Sequence, residues 1–355
     1  MTPKFHTLRI AEVRRETPDA VSLCFEVPPE LAGDYRFVQG QHLTLRTEIG
    51  GEEVRRSYSI CAGVDDGELR VAIKKIPSGR FSSWANDGIR VGDRIEVMTP
   101  EGRFHTPLDP AQRKHYVAFA AGSGITPILS LIKTTLKVEP QSRFTLVYGN
   151  RRQAGVMFAE ALEDLKNRYL SRFTLFNLFS REEQDVPLFN GRLDRAKVAI
   201  FLDTLIPVDT IDAAFICGPG AMIDEVEAAL REAGVAPADI HLERFGVPGE
   251  GPEHHVEPGD APQASITVIA DGLKREMEFH AEDPSILEVA LRAGMDLPYS
   301  CKGGVCCTCR ARVVEGRVRM DKNHTLEQAD IDAGFVLTCQ AHPLTERVVI
   351  SFDDR

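Results

Sequence analysis

A chain of 355 residues with 43% hydrophobic content is too long for one ordinary core, so two or three domains are expected. The 53 acidic residues outnumber the 42 basic ones, giving a net charge of −11. That balance argues against nucleic-acid or anionic-membrane binding and permits a docking partner with a basic face. Met1 to His6 lead into alternating polar and apolar residues rather than a secretory h-region, and no stretch approaches the ~18 apolar residues of a membrane span. The cytoplasm is the expected location, and there eight cysteines favour metal or redox chemistry over cross-linking.

From Phe5 to about Phe104 the chain reads as six short alternating strands: Leu8 to Val13, Ala20 to Val27, His42 to Thr47, Arg56 to Cys61, Leu69 to Ile73 and Arg94 to Met98. Without a long amphipathic helix, they predict a small antiparallel β-barrel over residues 1–106. At Tyr116 the pattern changes. Continuous apolar strands (Tyr116 to Ala121, Phe144 to Tyr148, Phe173 to Phe179, Ala213 to Cys217) alternate with helical stretches ending near Lys137, Tyr169 and Ala233. This grammar predicts a doubly wound α/β domain over residues 107–245.

Residues 246–262, with Gly249, Gly251, Pro252, His254 and His255, carry no apolar periodicity and fit a linker whose histidines are solvated. The final segment, 263–355, opens with two strands, Ser265 to Ile269 and Arg275 to Phe279. Asp283-Pro284 is expected to cap a helix with Ile286, Leu287, Ala290 and Leu291 on its buried side and Gly294 at its end. A last strand is expected from Arg347 to Phe352.

Within the barrel segment, Arg56-Ser57-Tyr58-Ser59 combines a cation for a pyrophosphate, an aromatic face for a flavin ring and a hydroxyl for its reactive nitrogen. An exposed Arg–Tyr cross-strand pair would explain the same letters. Gly79-Arg80-Phe81-Ser82 can open a helix that receives a phosphate, or form a plain turn with a serine cap. Gly122-Ser123-Gly124-Ile125-Thr126-Pro127 joins a buried strand to a helix, where glycines let a ligand approach the backbone. Its sixth residue departs from the G-x-G-x-x-G dinucleotide fingerprint. Arg151, Ser180 and Arg181 follow the second and third strands of the sheet, where guanidinium forks could hold a ribose 2′-phosphate or remain ordinary loop arginines. Surface charge is the default reading of Glu243.

The strongest signal lies near the end. Cys301, Cys306 and Cys309 are spaced C-x4-C-x2-C and are answered by Cys339, the plant-type [2Fe–2S] spacing. Gly303 and Gly304 are expected to allow left-handed backbone and to free N–H groups for the sulfurs. Cys307 does not fit the spacing and is taken as a bystander thiol. Zinc ribbons usually repeat a close cysteine pair, and the second pair is missing here.

Taken in order, these motifs resemble the ferredoxin–NADP⁺ reductase family over the first ~245 residues. Arg56-Ser57-Tyr58-Ser59 is similar to its R-x-Y-[ST] flavin signature, Gly122 to Pro127 to its G-x-G-x-x-P nicotinamide loop, and Cys217-Gly218-Pro219 to its C-G-P turn. The remainder resembles a plant-type ferredoxin of β-grasp fold. The resemblance implies FAD held by Arg56, Ser57, Tyr58, Ser59, Gly79 and Ser82, with Lys74 a weaker correspondence. It further implies Gly122, Gly124, Thr126, Pro127, Cys217 and Gly218 around the nicotinamide, with Ser59, Cys217 and Glu243 as the catalytic set. Ser180 and Arg181, with Arg151, imply NADPH rather than NADH. Cys301 and Cys306 would hold the outer iron, and Cys309 and Cys339 the inner one.

A narrower resemblance is carried by Arg36-Phe37, Gly40 to Leu45, Arg55 to Cys61, Tyr148 to Arg151 and Pro298 to Cys306. These segments are similar to the reductase components of phenylacetyl-CoA epoxidases. What that implies is an NADPH-dependent reductase feeding an oxygenase, with a di-iron epoxidase as partner. A reductase for another oxygenase or for a hybrid-cluster protein stays open, as does a non-enzymatic redox sensor or iron–sulfur carrier.

Overall fold

The computed structural model describes residues 3–246 and 257–354. It divides into two compact units, one of His6–Val54 and Tyr58–Arg244, the other chiefly of Phe245–Arg355. Most of the expected linker, with His254 and His255, lies outside the described residues.

The first unit opens with β1 (Phe5–Thr17), β2 (Ala20–Glu26), β3 (His42–Ile49), β4 (Glu52–Ser59), β5 (Leu69–Lys74), the short helix α1 (Arg80–Asp87) and β6 (Arg94–Met98). The strands run in the order β4-β3-β6-β1-β2-β5. Ile60, just past β4, bridges Val71 of the far edge strand, which curls the sheet into a barrel. Leu8, Leu23, Leu43, Leu45 and Ile60 fill its interior and are fully buried. Helix α1 forms because Phe81 and Ala85 share a buried face, and Gly88 ends it.

The second half contains β7 (His115–Ala121), α2 (Ile125–Val138), β8 (Arg143–Asn150), α3 (Ala159–Arg168), β9 (Phe173–Phe179), α4 (Arg195–Thr204), β10 (Ala213–Gly218), α5 (Gly220–Glu232) and β11 (Ile240–Arg244). The strands pair in parallel in the order β11-β10-β7-β8-β9. Ile128 of α2 and Leu162 of α3 belong to one apolar layer, Phe201 of α4 and Val226 of α5 to the other, so the sheet is covered on both faces. The chain leaves β7 toward β8 and β9, then returns to place β10 on the other side. The topological switch point therefore falls between β7 and β10, and their carboxyl ends open a crevice there. Two of these elements are not foreseen from the sequence. Strand β11 mixes polar and apolar residues and is half-buried throughout, and in α4 the buried stripe Val198, Phe201 and Leu202 is blurred by apolar Ile200 exposed on the outer face, so neither stands out in the sequence.

The second unit contains β12 (Gln263–Ala270), β13 (Leu273–His280), α6 (Ile286–Arg292), β14 (Arg310–Glu315), β15 (Val318–Met320), α7 (Gln328–Asp332), β16 (Phe335–Leu337), β17 (Ala341–Pro343) and β18 (Arg347–Ser351). Its main sheet runs β13-β12-β18-β14-β16, with β15 and β17 forming a separate ribbon. The β12–β13 hairpin turns on Asp271-Gly272, both at positive φ, as a two-residue primed turn requires. The parallel pairing of β12 with β18 and the packing of Ile286, Leu287 and Ala290 in the core give the β-grasp arrangement. The α6 cap differs from expectation. Ser285 caps the helix by accepting from the Glu288 amide at 3.3 Å, while the Asp283 carboxylate accepts from the His280 amide at 2.8 Å and pairs with Arg292. Asp283 lies two residues before the cap position, too early to reach the free N–H groups of the first turn.

Candidate functional site

The crevice at the switch point gathers residues that lie far apart in sequence. Gly122 to Gly124 form a single 3-10 turn leading from β7 into α2, with Gly122 left-handed at φ +55°. A Cβ on Gly124 would lie 2.1 Å from the Cys217 carbonyl oxygen. That glycine is needed because the neighbouring backbone at Cys217 and Gly218 closes on it, and not only to admit a ligand. Thr126 donates from Oγ1 to the Ser123 carbonyl at 3.0 Å, and Thr126 and Pro127 are both buried in the first turn of α2. Tyr148 also belongs to this set: from a fully buried position on β8 its phenol donates to the Gly122 carbonyl at 2.9 Å. The sequence places Tyr148 in a strand and gives no sign of this contact.

Parallel pairing of β10 with β11 sets Cys217 opposite Glu243. Cys217 is fully buried, and desolvation, followed by the nearby Glu243 charge, raises its thiol pKa well above the ordinary value. Glu243 is half-buried as a residue, but its carboxylate turns inward and accepts from Ser59 Oγ at 2.9 Å. Loss of hydration pushes its pKa up to about 8, with the Ser59 hydrogen bond pulling the other way. Plain surface charge is thereby replaced as the explanation of Glu243. The structure brings Ser59, Cys217 and Glu243 together, although the first and last are separated by 184 positions.

On the barrel side, β4 carries Arg56, Ser57, Tyr58 and Ser59, with Arg56 exposed, Ser57 and Tyr58 half-buried and Ser59 buried. The Tyr58 ring lies 5.5 Å from that of Phe81 in α1, which makes an aromatic ledge. Ser82 Oγ accepts from the Ile76 amide at 3.2 Å and donates to the Gly79 carbonyl at 3.3 Å. A Cβ on Gly79 would come within 2.4 Å of that same Oγ and of Ile76 Cγ1, so a larger residue would displace both side chains. Lys74 pairs with Asp19 at 3.6 Å and is part-exposed. A half-buried ring, a cation on the same strand and a tight glycine turn at a helix start are the donor set a flavin dinucleotide requires.

The ends of β8 and β9 are joined by backbone bonds: the Ser180 amide donates to the Asn150 carbonyl at 3.0 Å and the Arg181 amide to the Arg151 carbonyl at 2.9 Å. Arg151 and Arg181 are both exposed there. Reciprocal bonds between Gln184 and Asn190, at 2.7 and 2.8 Å, brace the loop that follows.

In the second unit the cysteines form two thiol pairs. Cys301 and Cys306 hydrogen-bond to each other, as do Cys309 and Cys339, the latter two almost wholly buried. The Cys306 thiol, and N–H groups of Gly303, Val305 and Cys306, lower the Cys301 pKa to about 6. The hydrogen bond to the partner sulfur, then burial and the partner's charge, push Cys306 and Cys309 well up. Among the described residues no three Cys, His, Asp or Glu side chains close on one point as ligands of a single ion would. Two sulfur pairs, one buried and one half-buried, approached by backbone N–H groups fit a two-iron centre.

The glycine expectation holds in part. Gly304 is left-handed at φ +76°, and Gly303 donates its N–H to Cys301 Sγ at 3.3 Å. Lys302 and Cys307, however, also take positive φ. Cys307 Sγ lies 3.0 Å from Thr325 Oγ1.

Comparison with known proteins follows the same division. Residues 7–106 match the oxidoreductase FAD-binding domain family, 119–228 the oxidoreductase NAD-binding domain family and 268–344 the 2Fe-2S iron–sulfur cluster binding domain family. The chain belongs to the reductase components of multicomponent oxygenases, oxidoreductases that unite FAD, a nicotinamide nucleotide and a [2Fe–2S] cluster. Within that class it is 49% identical to a component of the 1,2-phenylacetyl-CoA epoxidase of Escherichia coli (strain K12), covering 98% of both chains. The ferredoxin reductase component of 3-ketosteroid-9-alpha-monooxygenase from Rhodococcus rhodochrous is 34% identical, covering 97% of this chain and 96% of the relative. Among solved structures, phthalate dioxygenase reductase shares the fold with a TM-score of 0.59 at 23% identity, covering 98% of each chain.

Proposed function

We propose that this reductase draws on NADPH and delivers electrons to a di-iron phenylacetyl-CoA epoxidase in the cytoplasm. The client assignment is carried by one observation, the 49% identity maintained over 98% of the chain with the Escherichia coli epoxidase component. A cytoplasmic setting agrees with eight cysteines of which none is paired in a disulfide. We divide the chain into a flavin domain at 1–106, a nucleotide domain at 107–245, a linker at 246–262 and a cluster domain at 263–355.

In this reading Tyr58 covers one face of the flavin ring, Arg56 neutralises the pyrophosphate, and Ser57, Gly79 and Ser82 enclose it. Lys74 contributes less, since Asp19 already engages it. Gly122, Gly124, Thr126, Pro127 and Gly218 shape the floor on which the nicotinamide lies. Cys217 keeps its proton and presents a neutral, polarizable sulfur rather than a nucleophile. The Glu243 carboxyl, its pKa pushed up to about 8, holds a proton at neutral pH while its Oε2 accepts from Ser59 Oγ, so the pair can exchange a proton with whatever lies beside Ser59. Arg151, Ser180 and Arg181 receive the 2′-phosphate and set the preference for NADPH. Cys301 with Cys306 and Cys309 with Cys339 ligate the two irons. Held by these residues, FAD would supply hydride acceptance and the cluster single-electron transfer, so the cofactors would carry the redox chemistry while the chain binds and orients them.

The test is aerobic turnover with purified oxygenase components. With each oxygenase given its own substrate, product formation should be tightly coupled to NADPH oxidation for the epoxidase and poorly coupled for a ketosteroid monooxygenase. The reverse ranking would remove the epoxidase as client.

A further inference from the structure

Beyond the four cysteines, one buried side chain touches both ends of the proposed ligand set. Gln340 follows Cys339 directly, is 3% exposed, and turns its amide back toward the loop that carries the other three cysteines. Its Nε2 donates to the Lys302 carbonyl at 2.9 Å and to the Cys339 carbonyl at 3.0 Å, with Cys339 Sγ 3.7 Å away. A primary amide nitrogen carries two hydrogens, so the two carbonyls use both and the sulfur shares one of them. Because Lys302 adjoins Cys301, the contact spans from one thiol pair to the other.

The Gln340 backbone is fixed independently. Its N–H donates to the Leu337 carbonyl at 2.9 Å, and its carbonyl accepts from the Asp321 amide at 3.0 Å. Its stem also packs on the loop: a Cβ added to Gly304 would lie 3.3 Å from Gln340 Cγ and 2.9 Å from the Lys322 carbonyl oxygen. Packing alone does not require an amide at this place. An apolar side chain of similar volume would fill the space with no buried donor to satisfy.

We propose that Gln340 is a positioning residue of the [2Fe–2S] site. It fastens the Lys302 carbonyl against Cys339, which holds the Cys301/Cys306 pair in register with the Cys309/Cys339 pair. Its shared N–H also draws electron density from the Cys339 sulfur. Donation to a ligand sulfur favours the reduced, more negative state of a cluster, so this contact raises the reduction potential. The inference rests on the ligand assignment proposed above.

The test compares full-length holoenzyme with Gln340→Met, which keeps the volume and loses the donors, and Gln340→Ala, which loses both. Both variants should surrender iron to a chelator about 10- to 100-fold faster than the parent, the usual cost of removing an outer-shell partner. Both should show a more negative cluster midpoint potential and a shifted electron paramagnetic resonance spectrum, while the rate of flavin reduction by NADPH stays unchanged. If Gln340→Met matches the parent in iron release and potential, the residue only fills space and the proposal fails, whatever Gln340→Ala does. A Gln340→Met protein with an intact flavin half that accepts no cluster on anaerobic reconstitution also overturns it, because positioning predicts a weakened site and not an abolished one. Cys339→Ser measured alongside separates the two levels: retention of the parent spectrum there would reject the ligand assignment itself.

Discussion

The crevice at the switch point draws Ser59, Cys217 and Glu243 from three segments spread over 184 positions, whereas three of the four cysteines proposed to ligate the cluster sit in the single loop Cys301 to Cys309. In the first case the convergence is made by sheet order: β10 must return beside β7, and β11 must pair with β10, before Glu243 meets either partner. In the second, most of the geometry is local, and only Cys339 has to arrive from elsewhere. A crevice built from distant strands should lose function in graded steps as side chains are trimmed. A locally wrapped cluster loop should fail abruptly when a ligand is removed.

The largest effect expected from that contrast is at Cys339. Cys339→Ser should lose the cluster absorbance and all electron delivery to a one-electron acceptor, yet keep flavin content and flavin reduction near the parent values. Equal loss of both would show that the two sites are not independent. Next comes Glu243→Gln, which keeps the shape and removes the titrating group. The flavin reduction rate should fall about 100-fold or more if the Ser59–Glu243 pair moves a proton during turnover, and an unchanged rate would return Glu243 to a structural role.

The same substitution has a stability signature. Glu243 has a folded pKa of about 8 against an ordinary value of 4.5, so between those pH values the folded chain holds a proton that the unfolded chain has lost. This group's contribution to stability is therefore fully present below the lower value and declines as pH rises through the window, by at most about 1.4 kcal/mol per pH unit. Denaturation of parent and Glu243→Gln from pH 5 to 9 should show the parent losing stability faster, and parallel curves would contradict the raised pKa.

Arg181→Ala is expected to weaken NADPH by about 10- to 100-fold in KM while leaving NADH nearly unaffected, the size of one charge-assisted hydrogen bond. Equal weakening of both nucleotides would remove Arg181 from the phosphate site. The smallest effect should come from Tyr148→Phe. Losing the bond to the Gly122 carbonyl should cost about 1 kcal/mol of stability and raise the nucleotide KM a few-fold with little change in kcat. A fall in kcat with KM unchanged would assign Tyr148 a different role.

Reading along the chain shows how unevenly these features are written in it. The C-x4-C-x2-C spacing, the Gly122 to Pro127 turn and the strand of Arg56 to Ser59 are legible because ligand wrapping and phosphate approach are local demands on consecutive residues. The strands of the α/β sheet are legible because burial on both faces leaves unbroken apolar runs. By contrast, Glu243 reads as surface charge, since nothing in His241 to Phe245 announces a buried strand edge. The cap of α6 falls two residues from its expected place because Asp283 and Ser285 are both good caps, and only the helix start decides between them.

What the sequence alone determined is the inventory: an antiparallel barrel, a doubly wound sheet, a β-grasp segment and the residue types that each cofactor requires. Local spacing and periodicity carry the barrel, the sheet and the cysteine pattern directly, while the β-grasp assignment rests on the family resemblance of the cysteine segment. What only the tertiary structure decided is which distant groups meet. The Ser59–Glu243 hydrogen bond, the hold of Tyr148 on Gly122 and the reach of Gln340 from Cys339 to Lys302 all depend on strand order and loop crossing. Proximity between residues so far apart is a property of the packed chain, and no window of consecutive residues encodes it.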